Sequence, residues 1–146
     1  MGRDYRLEFK KGCEKERLVK FSKGAELAQK ELSEATGDLQ EAKDRLSNQR
    51  YKYATITAYY SMFHSARAMI YSKGYREKSH HYLFVALEYL FVANGQITEA
   101  LAKLFLDAMV LREEADYHGD FSDNGARLVI NGAEEMLKVA RKIVDG

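Results

Sequence analysis

Between residues 18 and 46, apolar and small side chains recur without a gap, and this spacing constrains the fold more than any other feature. The steps alternate between three and four residues, through Leu18, Phe21, Ala25, Ala28, Leu32, Ala35, Leu39, Ala42 and Leu46. Such steps place one narrow apolar seam along a long α-helix, as in a helical bundle. Gly24 and Gly37 each weaken a helix by about 1 kcal/mol relative to Ala. We interpret them as marking a bend or a crossing point.

The rest of the chain continues the helical pattern. None of the 146 residues is a proline, which favours long helices joined by short connections. Further helices are predicted from Arg50 to Lys73, from Ser79 to Asn94, from Thr98 towards Tyr117, and from Asp123 to the end. The prediction is an all-α fold without strands, an up-and-down antiparallel bundle of four long helices plus one shorter helix.

The first residues differ in charge from the remainder. Residues 1–23 carry eight basic and four acidic side chains, although the whole chain has a net charge of only +1. We predict that residues 1–16 form a basic N-terminal arm or helix extension ahead of a bundle at 17–146. The basic segment either touches phosphate or an acidic partner, or is a solvated helix face.

Cysteine content and hydropathy bear on the cellular setting. The single Cys13 excludes an internal disulfide and a cysteine-built metal site. The longest apolar run, residues 83–93, falls short of the roughly 20 residues of a membrane span. The expected location is therefore the cytoplasm, with no membrane partner.

The predicted second helix carries a polar strip on an otherwise apolar surface. Its members are Tyr53, Tyr60, His64, Arg67 and Tyr71, which fall along one line at 100° per residue. Burying such groups without partners costs about 1–3 kcal/mol each. Either they form a satisfied polar seam that fixes helix register or a dimer contact, or they are the wall of a ligand site.

Three motifs carry a resemblance to a known family. They are AYYSMFHSARA at residues 58–68, KSH at 78–80 and LREEADY at 111–117. With these motifs in this order, residues 17–144 resemble the HEPN family (higher eukaryotes and prokaryotes nucleotide-binding domain). More narrowly, the chain resembles the small stand-alone prokaryotic members of that family, long grouped as uncharacterised proteins. It implies a helical bundle that forms a homodimer. It also implies nucleotide or RNA handling beside a small nucleotidyltransferase, in a module of toxin–antitoxin type.

The same resemblance implies a ribonuclease site. Many HEPN proteins are metal-independent endoribonucleases that use an Arg, four to six residues, and then a His, and Arg112 and His118 have this spacing. In that chemistry the His acts as general acid or base and the Arg holds the phosphate. Tyr60, His64, Arg67, Asp116 and Tyr117 are the expected substrate- or nucleotide-binding residues.

The residues themselves leave the catalytic interpretation open. Arg112 and Asp116, spaced i and i+4, could form an ion pair, with His118 as an exposed cap of the last turn. The acidic residues between Arg112 and His118 would repel a phosphodiester. Arg76 and His81 satisfy the same spacing in a predicted linker.

Three hypotheses therefore remain. The chain is a metal-independent endoribonuclease, a non-catalytic nucleotide- or partner-binding helical module, or a structural interaction protein whose polar strip is sealed in the dimer. No cofactor is expected. No metal is expected either, because the adjacent His80 and His81 point about 100° apart on a helix.

Overall fold

The computed structural model describes residues 3–114 and 121–146, and the side chain of Glu114 is not described. In chain order the elements are α1 (Tyr5–Glu14), β1 (Leu18–Lys20), α2 (Gly24–Ser47), α3 (Tyr51–Ser72), β2 (Tyr75–Glu77), α4 (His80–Leu87), a π-helical turn (Glu88–Val92), α5 (Glu99–Glu114) and α6 (Asp123–Asp145). The predicted all-α bundle is confirmed: α2, α3, α5 and α6 are the four long helices, and α4 is the shorter one.

The apolar seam of α2 packs against α3. Its buried side chains are Ala28, Leu32, Ala35, Leu39 and Ala42, as the spacing predicted. The three-residue turn 48–50 makes α2 and α3 antiparallel neighbours, and Gln49 takes a positive φ of 60° there. Alanine at the contact lets the two backbones approach closely, and the Ser61 hydroxyl of α3 donates a 2.7 Å hydrogen bond to the Ala35 carbonyl of α2.

Helix α3 is the central element, because it packs on α2, α4, α5, α6 and β2. Helix α6 covers the bundle with one apolar face, which confirms the amphipathic pattern of the sequence. The buried residues of that face are Ala126, Val129, Ile130, Gly132, Ala133, Met136, Leu137 and Ala140. Ser122 caps α6, its side chain accepting a hydrogen bond from the Gly125 N–H.

A two-stranded antiparallel sheet corrects the expectation of no strands. Leu18 pairs with Glu77, Val19 with Arg76 and Lys20 with Tyr75. The predicted start of the first long helix at Leu18 is therefore wrong, and α2 begins at Gly24. The apolar spacing gave the wrong start because a buried side chain at residue 18 fits a helix or a strand equally well. A strand of three residues is also too short to show its own period. Leu18 still faces the core, where it is 2% exposed.

The basic N-terminal segment contains a separate helix, α1. Asp4 caps it by accepting a hydrogen bond from the Leu7 N–H. Phe9 is buried, with its ring edge-on to Tyr75 at 5.2 Å between centroids. Helix α1 thus packs on the sheet and on α4. Within the described residues, none of the helices is long and apolar enough to cross a membrane.

The two glycines of α2 give a matched prediction on stability. A Cβ at Gly24 would collide with the backbone carbonyl of Tyr71, whereas a Cβ at Gly37 would meet nothing within 4 Å. We expect Gly24→Ala to lower the free energy of unfolding by about 1–3 kcal/mol through overpacking. We expect Gly37→Ala to raise it by about 0.5–1 kcal/mol through helix propensity. Urea titration of both variants checks this. Equal effects on the free energy of unfolding would contradict the close approach of α2 to the end of α3 at Gly24.

Candidate functional site

The polar strip of α3 does not form one continuous surface. Tyr53 is 49% exposed, and Tyr71 at the other end is buried with its ring against Phe21. Tyr60, His64 and Arg67 lie between them and are half-buried. These three face two different surroundings, one at the end of α5 and one along α2 and β2.

Arg112, near the end of α5, lies over the tyrosines of α3. Its guanidinium donates a 3.3 Å hydrogen bond to the Tyr60 hydroxyl. The guanidinium carbon is 5.6 Å from the Tyr59 ring centroid and 5.8 Å from that of Tyr60, within the range of cation–π attraction. Among the described side chains, the nearest carboxylate contact of Arg112 is 3.9 Å, to Glu113. The buried Arg112 Nε has no hydrogen-bond partner among the described residues.

His80, the first residue of α4, adjoins this tyrosine pair. Its Nδ1 is 2.5 Å from the Tyr59 hydroxyl, and its ring stacks on Phe63 with centroids 4.8 Å apart. Burial lowers the pKa of His80 below its usual value, and the charge of Arg112 lowers it further. The neutral imidazole is therefore favoured beside the Arg112 cation. Burial raises the pKa of Tyr59 well above 10, so its hydroxyl keeps its proton and remains a donor.

His64 and Arg67 are held by carboxylates. His64 Nδ1 is 2.5 Å from Glu31 of α2, and its Nε2 is 3.7 Å from Asp38. Arg67 Nε lies 3.2 Å from Glu77 of β2, and another nitrogen of its guanidinium lies 3.7 Å from Glu31. This arrangement has the properties of a satisfied polar seam that fixes α2, α3 and β2 relative to one another.

Burial also shifts the acidic groups of this seam. Glu77 is 6% exposed, and its burial raises its pKa although Arg67 acts in the opposite direction. Burial likewise raises the pKa of Asp38, against the influence of His64. The Glu77 carboxylate therefore depends on Arg67 to remain charged inside the protein.

The structure brings some predicted residues together and separates others. Tyr60 and Arg112 are in contact, across 52 positions of sequence. His64 and Arg67 bind carboxylates of the protein itself. Asp116, Tyr117 and His118 lie outside the described residues, and so does the proposed Arg112–Asp116 pair.

Sequence reasoning missed four members of this region: Tyr59, His80, Glu31 and Glu77. His80 was part of the KSH motif and Tyr59 of the motif at residues 58–68, but neither was assigned a binding role. Neither glutamate carried a signal, because the sequence has no local mark that distinguishes a buried glutamate from those on the solvated flanks. In the described ranges 3–114 and 121–146, no three His, Cys, Asp or Glu side chains form a group suited to a metal ion.

The geometry around Arg112 suits recognition of an anion. A guanidinium carries several donors in one plane and matches two phosphate oxygens at once. Here the tyrosine rings orient it, and its only hydrogen bond among the described residues goes to a neutral hydroxyl. A histidine follows six residues later in the sequence, at His118.

Comparison with known proteins defines the class. The family model for the HEPN domain matches residues 28–145, and the chain therefore belongs to the HEPN domain family. A Methanocaldococcus jannaschii protein named "Putative toxin MJ0605" is 31% identical over 109 residues, covering 74% of this chain and 81% of its own. Two proteins named "UPF0332 protein" are also similar. The one from Thermotoga maritima is 27% identical over 73% of this chain and 83% of its own, and the one from Archaeoglobus fulgidus is 30% identical over 73% and 86%.

Proposed function

We propose that this protein is a metal-independent endoribonuclease and the toxin of a toxin–antitoxin-type module. The observation that carries the proposal is the Arg112 guanidinium. It is oriented by Tyr59 and Tyr60, has no carboxylate closer than 3.9 Å among the described residues, and lies six positions ahead of His118. The name of the Methanocaldococcus jannaschii relative supports a toxin-type role.

In the proposed reaction, the 2′-hydroxyl of RNA attacks the adjacent phosphodiester. His118 takes the proton of that hydroxyl as the bond from O2′ to phosphorus forms. The bond from phosphorus to O5′ then breaks, the leaving O5′ takes a proton from solvent water, and the protonated His118 returns its proton to solvent. The products are a 2′,3′-cyclic phosphate and a 5′-hydroxyl. General acid–base catalysis by a positioned imidazole contributes about 10²–10⁴-fold.

Arg112 has the second role in this proposal. Its guanidinium binds the non-bridging oxygens, where negative charge increases in the transition state. The Tyr60 hydroxyl acts as a positioning group for Arg112, and Asp116 and Tyr117 contribute to substrate binding. A homodimer would bring two Arg–His pairs close together. A small nucleotidyltransferase is the proposed partner protein, and the cytoplasm is the proposed location.

An RNA cleavage assay tests the proposal. The wild-type protein, with EDTA present, is expected to cut an unstructured RNA and leave cyclic phosphate ends that mass spectrometry identifies. His118→Ala should lose this activity, because no base remains at that position. His81→Ala is the matched control, because the exposed His81 also follows an arginine, Arg76, with four residues between them. The proposal fails if wild-type protein leaves RNA intact, or if both variants cut equally well.

A non-catalytic nucleotide- or partner-binding module is the second candidate function. The acidic residues Glu113, Glu114 and Asp116 between Arg112 and His118 favour it, because they repel a phosphodiester. In this case the wild-type protein leaves RNA uncut. A nucleotide or the partner then raises its melting temperature, and Tyr60→Ala removes that shift.

A further inference from the structure

A cleft of about 590 Å³ opens between the two-stranded sheet, α3 and the start of α4. Its lining includes Phe21, Phe63, Arg76, Glu77, Lys78 and His80. The volume falls within the roughly 300–1,000 Å³ of small-molecule sites. Neither the proposed cleavage step nor the carboxylate seam accounts for most of these residues.

The cleft presents two cations to solvent. Arg76 and Lys78 are exposed, and neither has a carboxylate within 4 Å among the described residues. Glu77, between them, also lines the cleft, where it is buried and paired with Arg67. The backbone N–H of Lys78 continues the ladder by donating a 2.9 Å hydrogen bond to the Arg17 carbonyl. Both cations are therefore carried by a hydrogen-bonded strand.

Aromatic side chains form the walls of the cleft. The Phe63 and His80 rings are nearly parallel, with an interplanar angle of 22°, and Arg67 lies 5.1 Å from the Phe63 centroid. Phe21 comes from the segment after β1, and the Arg76 guanidinium lies 5.5 Å from its centroid. Flat π-faces beside solvated cations are the combination that binds single-stranded nucleic acid, with bases stacked and phosphates paired.

His80 connects the cleft to Arg112. It lines the cleft and contacts the Tyr59 hydroxyl, and the Tyr59 ring in turn lies beneath the Arg112 guanidinium. The Tyr59 side chain thus separates the cleft from the Arg112 guanidinium.

We propose that this cleft is a subsite for single-stranded RNA, in which Arg76 and Lys78 bind backbone phosphate and a base stacks against Phe63. The inference rests on the proposed function, because it assigns the cleft to a nucleotide that neighbours the one held at Arg112. Its recognition is sequence-tolerant, since every base has a π-face.

The test measures RNA binding separately from cleavage. The probe is a fluorescent, 2′-O-methylated oligonucleotide, which lacks the attacking hydroxyl, and its binding is followed by anisotropy over a series of salt concentrations. We expect Arg76→Gln/Lys78→Gln to weaken binding about tenfold and to reduce the slope of log K against log salt by about 1.4, for two phosphate contacts at about 0.7 each. Lys138→Gln/Lys142→Gln, an equal charge change on the exposed face of α6, should leave both quantities unchanged.

A second measurement addresses the stacking. A 2-aminopurine base in the same oligonucleotide should lose fluorescence on binding the wild-type protein, and Phe63→Leu should reduce that loss. Equal affinity of the wild-type and Arg76→Gln/Lys78→Gln proteins, or no binding by the wild-type protein, would overturn the subsite. If the wild-type protein cleaves RNA and the Arg76→Gln/Lys78→Gln protein binds RNA with the same affinity, the subsite is overturned and the ribonuclease proposal is not. Binding that depends on the cleft, without any cleavage, would overturn the ribonuclease proposal and support the subsite.

Discussion

Replacing Arg112 by Ala is expected to lower kcat for RNA cleavage by about 10²–10³-fold, the usual cost of removing one preorganised donor from a developing anion. The effect should fall on kcat more than on KM, because the interaction is strongest where phosphoryl charge increases. Arg112→Lys should recover only part of the rate, since an ammonium cannot bind two oxygens in one plane or stack on Tyr59 and Tyr60 as a guanidinium does.

Two controls separate this role from a structural one. Arg127→Ala removes an arginine near the start of α6, one that is exposed and paired with Asp123 at 2.6 Å, and should leave kcat unchanged. Tyr60→Phe removes only the hydroxyl that Arg112 contacts, and should lower kcat less than Arg112→Ala. Melting temperatures of all variants show whether folding is retained. Wild-type kcat in a folded Arg112→Ala protein would disprove the assigned role.

Replacing Arg67 by Met is expected to lower the free energy of unfolding at pH 7 by about 2–3 kcal/mol. The loss leaves the Glu77 carboxylate buried without its main partner. Breaking a fully buried ion pair costs about 3–5 kcal/mol, and the smaller figure reflects the 21% exposure of the Arg67 side chain. Arg67→Met/Glu77→Leu should be more stable than Arg67→Met, because two apolar groups leave no charge to desolvate. Denaturant titration of Arg67→Met, Glu77→Leu and the double variant gives the coupling energy between the two residues.

The pH dependence provides an independent check on this pair. Burial already raises the pKa of Glu77, and removal of Arg67 should raise it further. A carboxyl whose folded pKa exceeds its unfolded value favours folding most below the unfolded pKa, and loses that contribution as pH rises through the folded pKa. The stability difference between wild type and Arg67→Met should therefore shrink as pH falls from 7 towards about 4.5. A difference that does not change with pH would mean that Glu77 is not the group left unpaired.

Much of the fold could be predicted from local signals. Alternating steps of three and four residues located the seam of α2, and the helix predicted to begin at Ser79 is α4, which Ser79 caps by accepting a hydrogen bond from the Tyr82 N–H at 3.2 Å. Such signals are readable because each lies within one or two turns of helix. The two-stranded sheet was missed for the opposite reason: its three-residue strands are too short to show a period of two, and they are stabilised by pairing with each other across the intervening α2 and α3.

The candidate site was predictable only in part. The sequence identified Tyr60 and Arg112 as residues of interest, and the structure places them in contact. The same reasoning left His64 and Arg67 either in a satisfied polar seam or in the wall of a ligand site, and in the structure both contact carboxylates of Glu31, Asp38 or Glu77. Helical periodicity defines the face on which a side chain lies but not the element that packs against that face. The sequence pattern of a basic side chain on a polar strip is therefore the same whether a carboxylate of the protein or a substrate lies opposite it.

The sequence by itself determined an all-helical bundle and membership in the HEPN domain family, because periodicity, caps and motifs are properties of neighbouring residues. The tertiary structure alone decided which charges are neutralised and which remain available. Glu77 reaches Arg67 through the pairing of β2 with β1, and Arg112 reaches Tyr60 through the packing of α5 on α3. Both contacts depend on elements that meet only in the folded chain, so the partner of each charge follows from packing and not from spacing.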